Sequence, residues 1–181
     1  MNHYGGKQLA ASLRTVRKNT LQIAEDIPED KYAFRAAPDT RSVAELLTHI
    51  AVATAFQEEV HAKQKLSTFA GFDFPALMQR MAAEEKKPRT KVQIVEILRT
   101  NGEAWAAWLE SLSDDFLAES VSMPPGGNPA SRTRFDMLLS VKEHEMHHRG
   151  QLMLIERIIG IVPHLTRERQ ARAAAATNTR Q

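Results

Sequence analysis

The stretch Val141-Lys142-Glu143-His144-Glu145-Met146-His147-His148-Arg149-Gly150-Gln151-Leu152 decides how this chain is read. As an α-helix it sets His144 and His148 one turn apart, about 6 Å along the axis, with their side chains projecting side by side. At about 100° per residue, Met137, Val141, Leu152, Ile155 and Ile159 fall on one face. His144 and His148 lie in the middle of that face and complete a 4-3-4-4-3-4 stripe from 137 to 159. His147 falls toward its edge. Two histidines in core positions must satisfy their ring nitrogens in the interior, and a shared metal ion does so.

Working back along the chain, Pro124, Pro125, Gly126, Gly127 and Pro129 mark a loop over 120–131, so this helix starts near Thr133; Gly160 and Pro163 end it. Before the loop, Val95, Leu98, Gly102, Trp105, Leu109 and Leu112 repeat at helical spacing behind the capping box Thr90-Lys91-Val92-Gln93. A second capping box, Ser42-Val43-Ala44-Glu45, opens a helix whose inner line is Leu46, His49, Ala53, Phe56 and Val60. His49 thus holds a core position as well. Leu9, Leu13, Val16, Thr20, Ile23 and Ile27 mark one more amphipathic helix, stopped by Pro28. Residues 28–41 read as a loop with aromatic anchors. Between 67 and 89, Gly71, Pro75 and Pro88 break the helical pattern around one weak helix, which makes that link a crossover. No strand alternation or internal repeat is evident. The expected fold is all-α, an antiparallel four-helix bundle with a long crossover between helices 2 and 3. Residues 1–165 are expected to form it, with 166–181 a helical extension or frayed tail.

The chain has 181 residues, a formal net charge of +2 and no cysteine. The last point excludes disulfides, thiolate metal ligands and a cysteine nucleophile, so any reactive thiol must come from a substrate or cofactor. The pI near 9.0 reflects a basic tail after Arg167 rather than a basic face interleaved with aromatics, which argues against nucleic-acid binding. No apolar run reaches membrane-spanning length and the N-terminus lacks a signal-like core, so a cytoplasmic location is expected.

Three histidines on the inner lines of two helices that should pack together point to one divalent metal bound by His49, His144 and His148. Without cysteine the set leaves open positions, as catalytic sites do. Imidazole suits zinc, nickel, iron and copper alike. His3, His61 and His164 lie off the core lines and are expected at the surface. Trp105 and Trp108 are expected at the core and its edge, and Gln151 at the boundary beside the stripe. His144-Glu145-Met146-His147-His148 also matches the H-E-x-x-H pattern of zinc peptidases, with Glu145 as general base. The metzincin extension fails at Leu154, the strands that shape a peptidase cleft are missing, and His49 would be unexplained. Glu156 and Glu168 are the downstream acids that could complete such a site.

The segments Ser42–Ala51 and His144-x-x-His147-His148-Arg149-Gly150-Gln151-Leu152 resemble those of the DinB/YfiT-like superfamily, over roughly Lys7 to Pro163. The resemblance implies a four-helix bundle with a crossover after the second helix. It implies a divalent metal, zinc or nickel first among the candidates, held by His49, His144 and His148, with His147 an adjacent non-ligand. It further implies a homodimer, and a transferase conjugating a low-molecular-weight thiol to a small-molecule electrophile, the metal lowering the pKa of the thiol. Metal-dependent hydrolysis of a small molecule is the alternative. A non-catalytic metal-binding bundle is another, and it predicts no cavity beside the histidines.

Overall fold

The computed structural model describes residues 4–178. Its four long helical segments are α1 (Gly6–Asp26), α2 (Val43–Val52, continued by α3, Thr54–Gln57, and a π-helical segment, Glu58–Lys63), α5 (Lys91–Glu110) and α7 (Arg134–Ile158). Shorter helices are α4 (Phe74–Glu85) in the crossover and α6 (Asp114–Ala118); α8 (His164–Asn178) follows the bundle. The five inner-line residues of α1 and Ile27 at its C-cap are all buried. Both expected capping boxes form: Glu45 N–H donates to Ser42 Oγ at 3.2 Å and Ser42 N–H to Glu45 Oε2 at 2.8 Å, with Thr90 and Gln93 doing the same for α5.

α1 packs on α5 and α7, and α2 packs on the same two, so the cyclic order is α1–α5–α2–α7. α1 and α5 run antiparallel, since Arg14 reaches Glu103 while Lys91 Nζ donates to Ile27 O at 2.7 Å. α2 and α5 run parallel: their N-caps Ser42 and Thr90 line one hollow, and about three turns deeper Asn101 Nδ2 donates to Ala51 O at 3.1 Å. α7 runs alongside α1, with Leu9 and Leu13 clustered with Leu138 and Val141 at one end and Ile23 with Leu152 and Ile155 at the other. Two of the four neighbouring pairs are therefore parallel, where an antiparallel bundle was expected. The long crossover is the cause, because parallel neighbours in sequence cannot be joined by a tight turn.

The loop 120–131 carries strands that sequence reading missed. β1 (Ser120–Ser122) pairs antiparallel with β2 (Ser131–Thr133), Val121 opposite Arg132. Three residues are too few to show alternation, and the pairing depends on a turn in which Gly126 takes φ +82°. The crossover joins this ribbon where Phe69 N–H donates to Ser122 O at 2.9 Å. Beneath it Phe56, Phe69, Phe72 and Phe74 cluster with Val60 and Met137.

His61 is fully buried, not exposed. The wider turn of the π-helical segment shifts the phase of the helix after Gln57, and simple periodicity no longer places its side chains. Arg134 Nη1 donates to His61 Nδ1 at 3.0 Å while its Nε pairs with Glu119 at 2.8 Å. Burial, and then the Arg134 charge, push the His61 pKa down to about 4. His164 is also buried, because the chain reverses at Gly160 (φ +86°) and brings it against α1, with Nε2 3.2 Å from Asn19 Oδ1. His3 lies outside the described residues. Trp105 is buried and stacks on half-buried Trp108 at 4.4 Å between centroids, as expected. Among the described residues no helix is long and apolar enough to cross a membrane.

Candidate metal centre

α2 and α7 cross so that His49 meets His144 and His148. His49 Nε2 and His148 Nε2 each lie 3.1 Å from His144 Nε2. Among the described residues these three form the group of histidine and acidic side chains that could hold a metal ion, their ligand atoms all within 4.8 Å of one another.

The rings are set from behind. His49 Nδ1 donates to Glu85 Oε1 at 2.6 Å, and Glu85 comes from α4 of the crossover. His148 Nδ1 donates to Gln151 Oε1 at 2.8 Å, and the amide nitrogen of Gln151 donates to His147 Nε2 at 3.4 Å, which fixes which way that amide faces. With both Nδ1 atoms protonated, His49 and His148 direct Nε2 lone pairs at His144 Nε2. One ring proton cannot serve both contacts, so the cluster is short of a positive charge at its centre. Four ligands about 2.05 Å from a tetrahedral metal stand about 3.3 Å apart, close to the two 3.1 Å spacings that His144 makes. The donor set therefore fits a divalent ion, and the carboxylate and amide behind the rings are the usual supports of such ligands.

Burial is the main cause that pushes the His144 pKa down to about 4, with the neighbouring histidines adding to it; burial lowers His148 too. Neutral rings at physiological pH are the form that binds metal.

Two clefts reach the triad from different sides. One, of about 370 Å³, is lined by His148 and Gln151 with Asp39, Thr40, Arg41 and Leu46. The other, of about 340 Å³, is lined by His49 and His144 with Ala53, Phe56, Gln57 and Met81. A larger hollow of about 740 Å³ touches Arg41 and Glu85 but none of the three histidines.

Glu145 is not at this site. Its carboxylate is buried and accepts from two donors of Arg17 of α1, Nε at 2.9 and 3.1 Å to its two oxygens and Nη2 at 3.0 Å, while Arg17 Nη1 donates to Leu98 O of α5. The guanidinium passes α5 at Gly102, where an added Cβ would sit 2.6 Å from it. Glu145 is thus neither exposed nor a support for a histidine ring, and the peptidase reading fails, since the carboxylate is committed to Arg17. Sequence reading missed Arg17 because period 3.6 marks apolar lines, and this arginine lies at the border of one. It missed Glu85 because α4 is a weak amphipathic helix with one buried residue, Leu77. Glu156, the proposed alternative ligand, is fully buried but outside the triad.

A family model for the DinB superfamily matches residues 12–152, most of the chain. The chain belongs to the DinB superfamily. A relative in that superfamily is the uncharacterized protein YjoA of Bacillus subtilis, 24% identical over 153 residues, which cover 84% of this chain and 90% of YjoA. The crystal structure of that DinB-like protein superposes with a TM-score of 0.62, covering 84% of this chain and 92% of YjoA. YfiT from Bacillus subtilis superposes with a TM-score of 0.65 at 14% identity, over 89% of this chain and 91% of that one. YfiT is described as "a probable metal-dependent hydrolase with an unusual four-helix bundle topology". At these identities the likeness to the solved structures concerns the fold, which the order α1–α5–α2–α7 accounts for here.

Proposed function

We propose that this DinB-superfamily protein is a divalent-metal-dependent enzyme acting on small molecules, with His49, His144 and His148 as the metal ligands. The observation that carries the proposal is the convergence of three Nε2 atoms, two of them on rings whose tautomers are set from behind by Glu85 and Gln151. When bound, the ion supplies Lewis acidity, lowering the pKa of a coordinated thiol or water. The protein's own residues do the rest. Glu85 and Gln151 hold the two Nδ1 protons and keep the His49 and His148 rings oriented, while burial keeps His144 and His148 neutral and ready to bind.

Two clefts opening on one triad suit two reactants, which favours transfer of a low-molecular-weight thiol to an electrophile: R–SH and R′–X become R–S–R′ and HX. Arg41 in the first cleft suits an anionic group on one reactant, and the apolar second cleft suits the other. Hydrolysis of a small molecule is the second reading, favoured by the description of YfiT. A purely structural metal site is disfavoured by the clefts, since it needs no space beside the histidines.

Elemental mass spectrometry on wild type and His148→Ala, purified without affinity-tag metals, tests the centre; near-stoichiometric metal lost in the variant is expected. With zinc- or nickel-loaded protein, initial rates that saturate in both thiol and electrophile indicate transfer, and product formed without thiol indicates hydrolysis. A wild type that takes up neither metal, or a metal-free protein with full activity, overturns the proposal.

A further inference from the structure

We infer that the cleft between the α2–α3 segment, α4 and α7 seats an apolar reactant bearing a hydrogen-bond donor, and that Gln57 selects for that donor. The inference rests on the reading of the triad as a reaction centre and names the class of molecule the second cleft takes.

The walls are apolar where they leave the histidines: Ala53, Phe56, Met81 and Val141. A cavity of about 340 Å³ accommodates an aromatic ring or a short branched chain. Two polar side chains besides the histidines line it, Ser140 and Gln57. The Ser140 hydroxyl donates to Met137 O at 2.5 Å, the usual back-bond of a helical serine. Gln57 is different. It is only 9% exposed, and its carbonyl oxygen has no hydrogen-bond partner within the protein. An unpaired buried amide oxygen is costly, by about 1–3 kcal/mol, and such a group is tolerated where a ligand completes it. The terminal torsion of glutamine is soft, so the amide can swing to a donor in the cleft.

The backbone singles out the same place. α3 ends at Gln57 and the π-helical segment begins at Glu58, with no intervening loop. Such insertions cost helical regularity and recur at functional sites. One effect here is to turn His61 inward to Arg134, while Phe56 and Gln57 stay on the wall that holds His49. The selected reactant therefore carries a hydroxyl or N–H group on an apolar body, its reactive atom directed at the triad.

Fluorine NMR titrations with 4-fluorophenol and 4-fluoroanisole test this, on protein as purified and on zinc-loaded protein. The two probes share size and ring but only the phenol donates. Wild type is expected to bind the phenol roughly 3- to 10-fold tighter, the range of one hydrogen bond to a neutral acceptor. Gln57→Met should remove that preference and keep the anisole affinity, and Gln57→Glu, which retains an acceptor, should preserve it. Ala53→Met, which fills the cleft, should weaken both probes. Equal affinities in wild type, a preference that survives in Gln57→Met, or undiminished binding in Ala53→Met would each overturn the inference. Should Gln57→Met fail to fold, the wild-type ratio and the Gln57→Glu and Ala53→Met variants still decide. Metal content of the same samples is an independent readout, so failure of the metal reading is told apart from failure of the subsite.

Discussion

Replacing Glu145 by alanine should cost this protein much of its stability and leave its metal content intact. Glu145 and Arg17 are 2% and 4% exposed, paired through ion-pair hydrogen bonds of 2.9 to 3.1 Å from two Arg17 donors, with a third donor of Arg17 on Leu98 O of α5. The pair ties α1, α5 and α7 at one level of the bundle. Removing one partner leaves a buried guanidinium without its counter-charge, which typically costs about 3–5 kcal/mol. For a chain of this size each kcal/mol corresponds to about 2–4 °C, so the melting temperature should fall by roughly 6–20 °C. Glu145→Gln should fall between, because it keeps an acceptor but not the charge. The double variant Arg17→Met, Glu145→Met should recover most of the loss, since the two charges and their desolvation leave together. Circular-dichroism melts of the four proteins and elemental analysis of each give the test. A Glu145→Ala protein as stable as wild type would refute the structural assignment. One that melts normally yet loses activity would revive Glu145 as a proton carrier.

Other outcomes follow from the same geometry. Glu85→Ala removes the acceptor that holds His49, and zinc affinity should drop about 10- to 100-fold with little change in apo stability; competition with a chromogenic chelator measures it, and an unchanged affinity would detach Glu85 from the site. Glu156 is fully buried with both oxygens unpartnered, and burial, with Asp26 adding to it, raises its pKa from 4.5 to about 7. The folded state therefore keeps a proton that the unfolded chain releases above 4.5, so its contribution to stability is present below 4.5, is lost as pH rises through about 7, and amounts to about 3 kcal/mol. Urea unfolding of wild type and Glu156→Gln between pH 5 and 8 should show a stability difference that grows in the variant's favour as pH rises, and a difference independent of pH would refute it.

The bundle and the three histidines are legible in the sequence because both depend on periodicity. A helix that buries one face must repeat its apolar residues every three to four positions, and a histidine breaking into that line at 49, 144 or 148 is conspicuous for the same reason. Capping boxes at Ser42 and Thr90 mark two helix starts by local chemistry alone. What periodicity cannot carry is anything set by contact between distant segments. Arg17 meets Glu145 across 128 positions and Glu85 meets His49 across 36, each through a residue that looks like an ordinary surface charge until its neighbour is known. The same holds for the parallel pairing of α2 with α5, imposed by the crossover, and for His61, turned inward when the helix widened. Local spacing thus determined the helices and the metal-ligand candidates. The tertiary structure alone decided which charges are buried, which ring nitrogens are free to bind, and where a reactant can approach, because each depends on the desolvation of one group by residues far away in the chain.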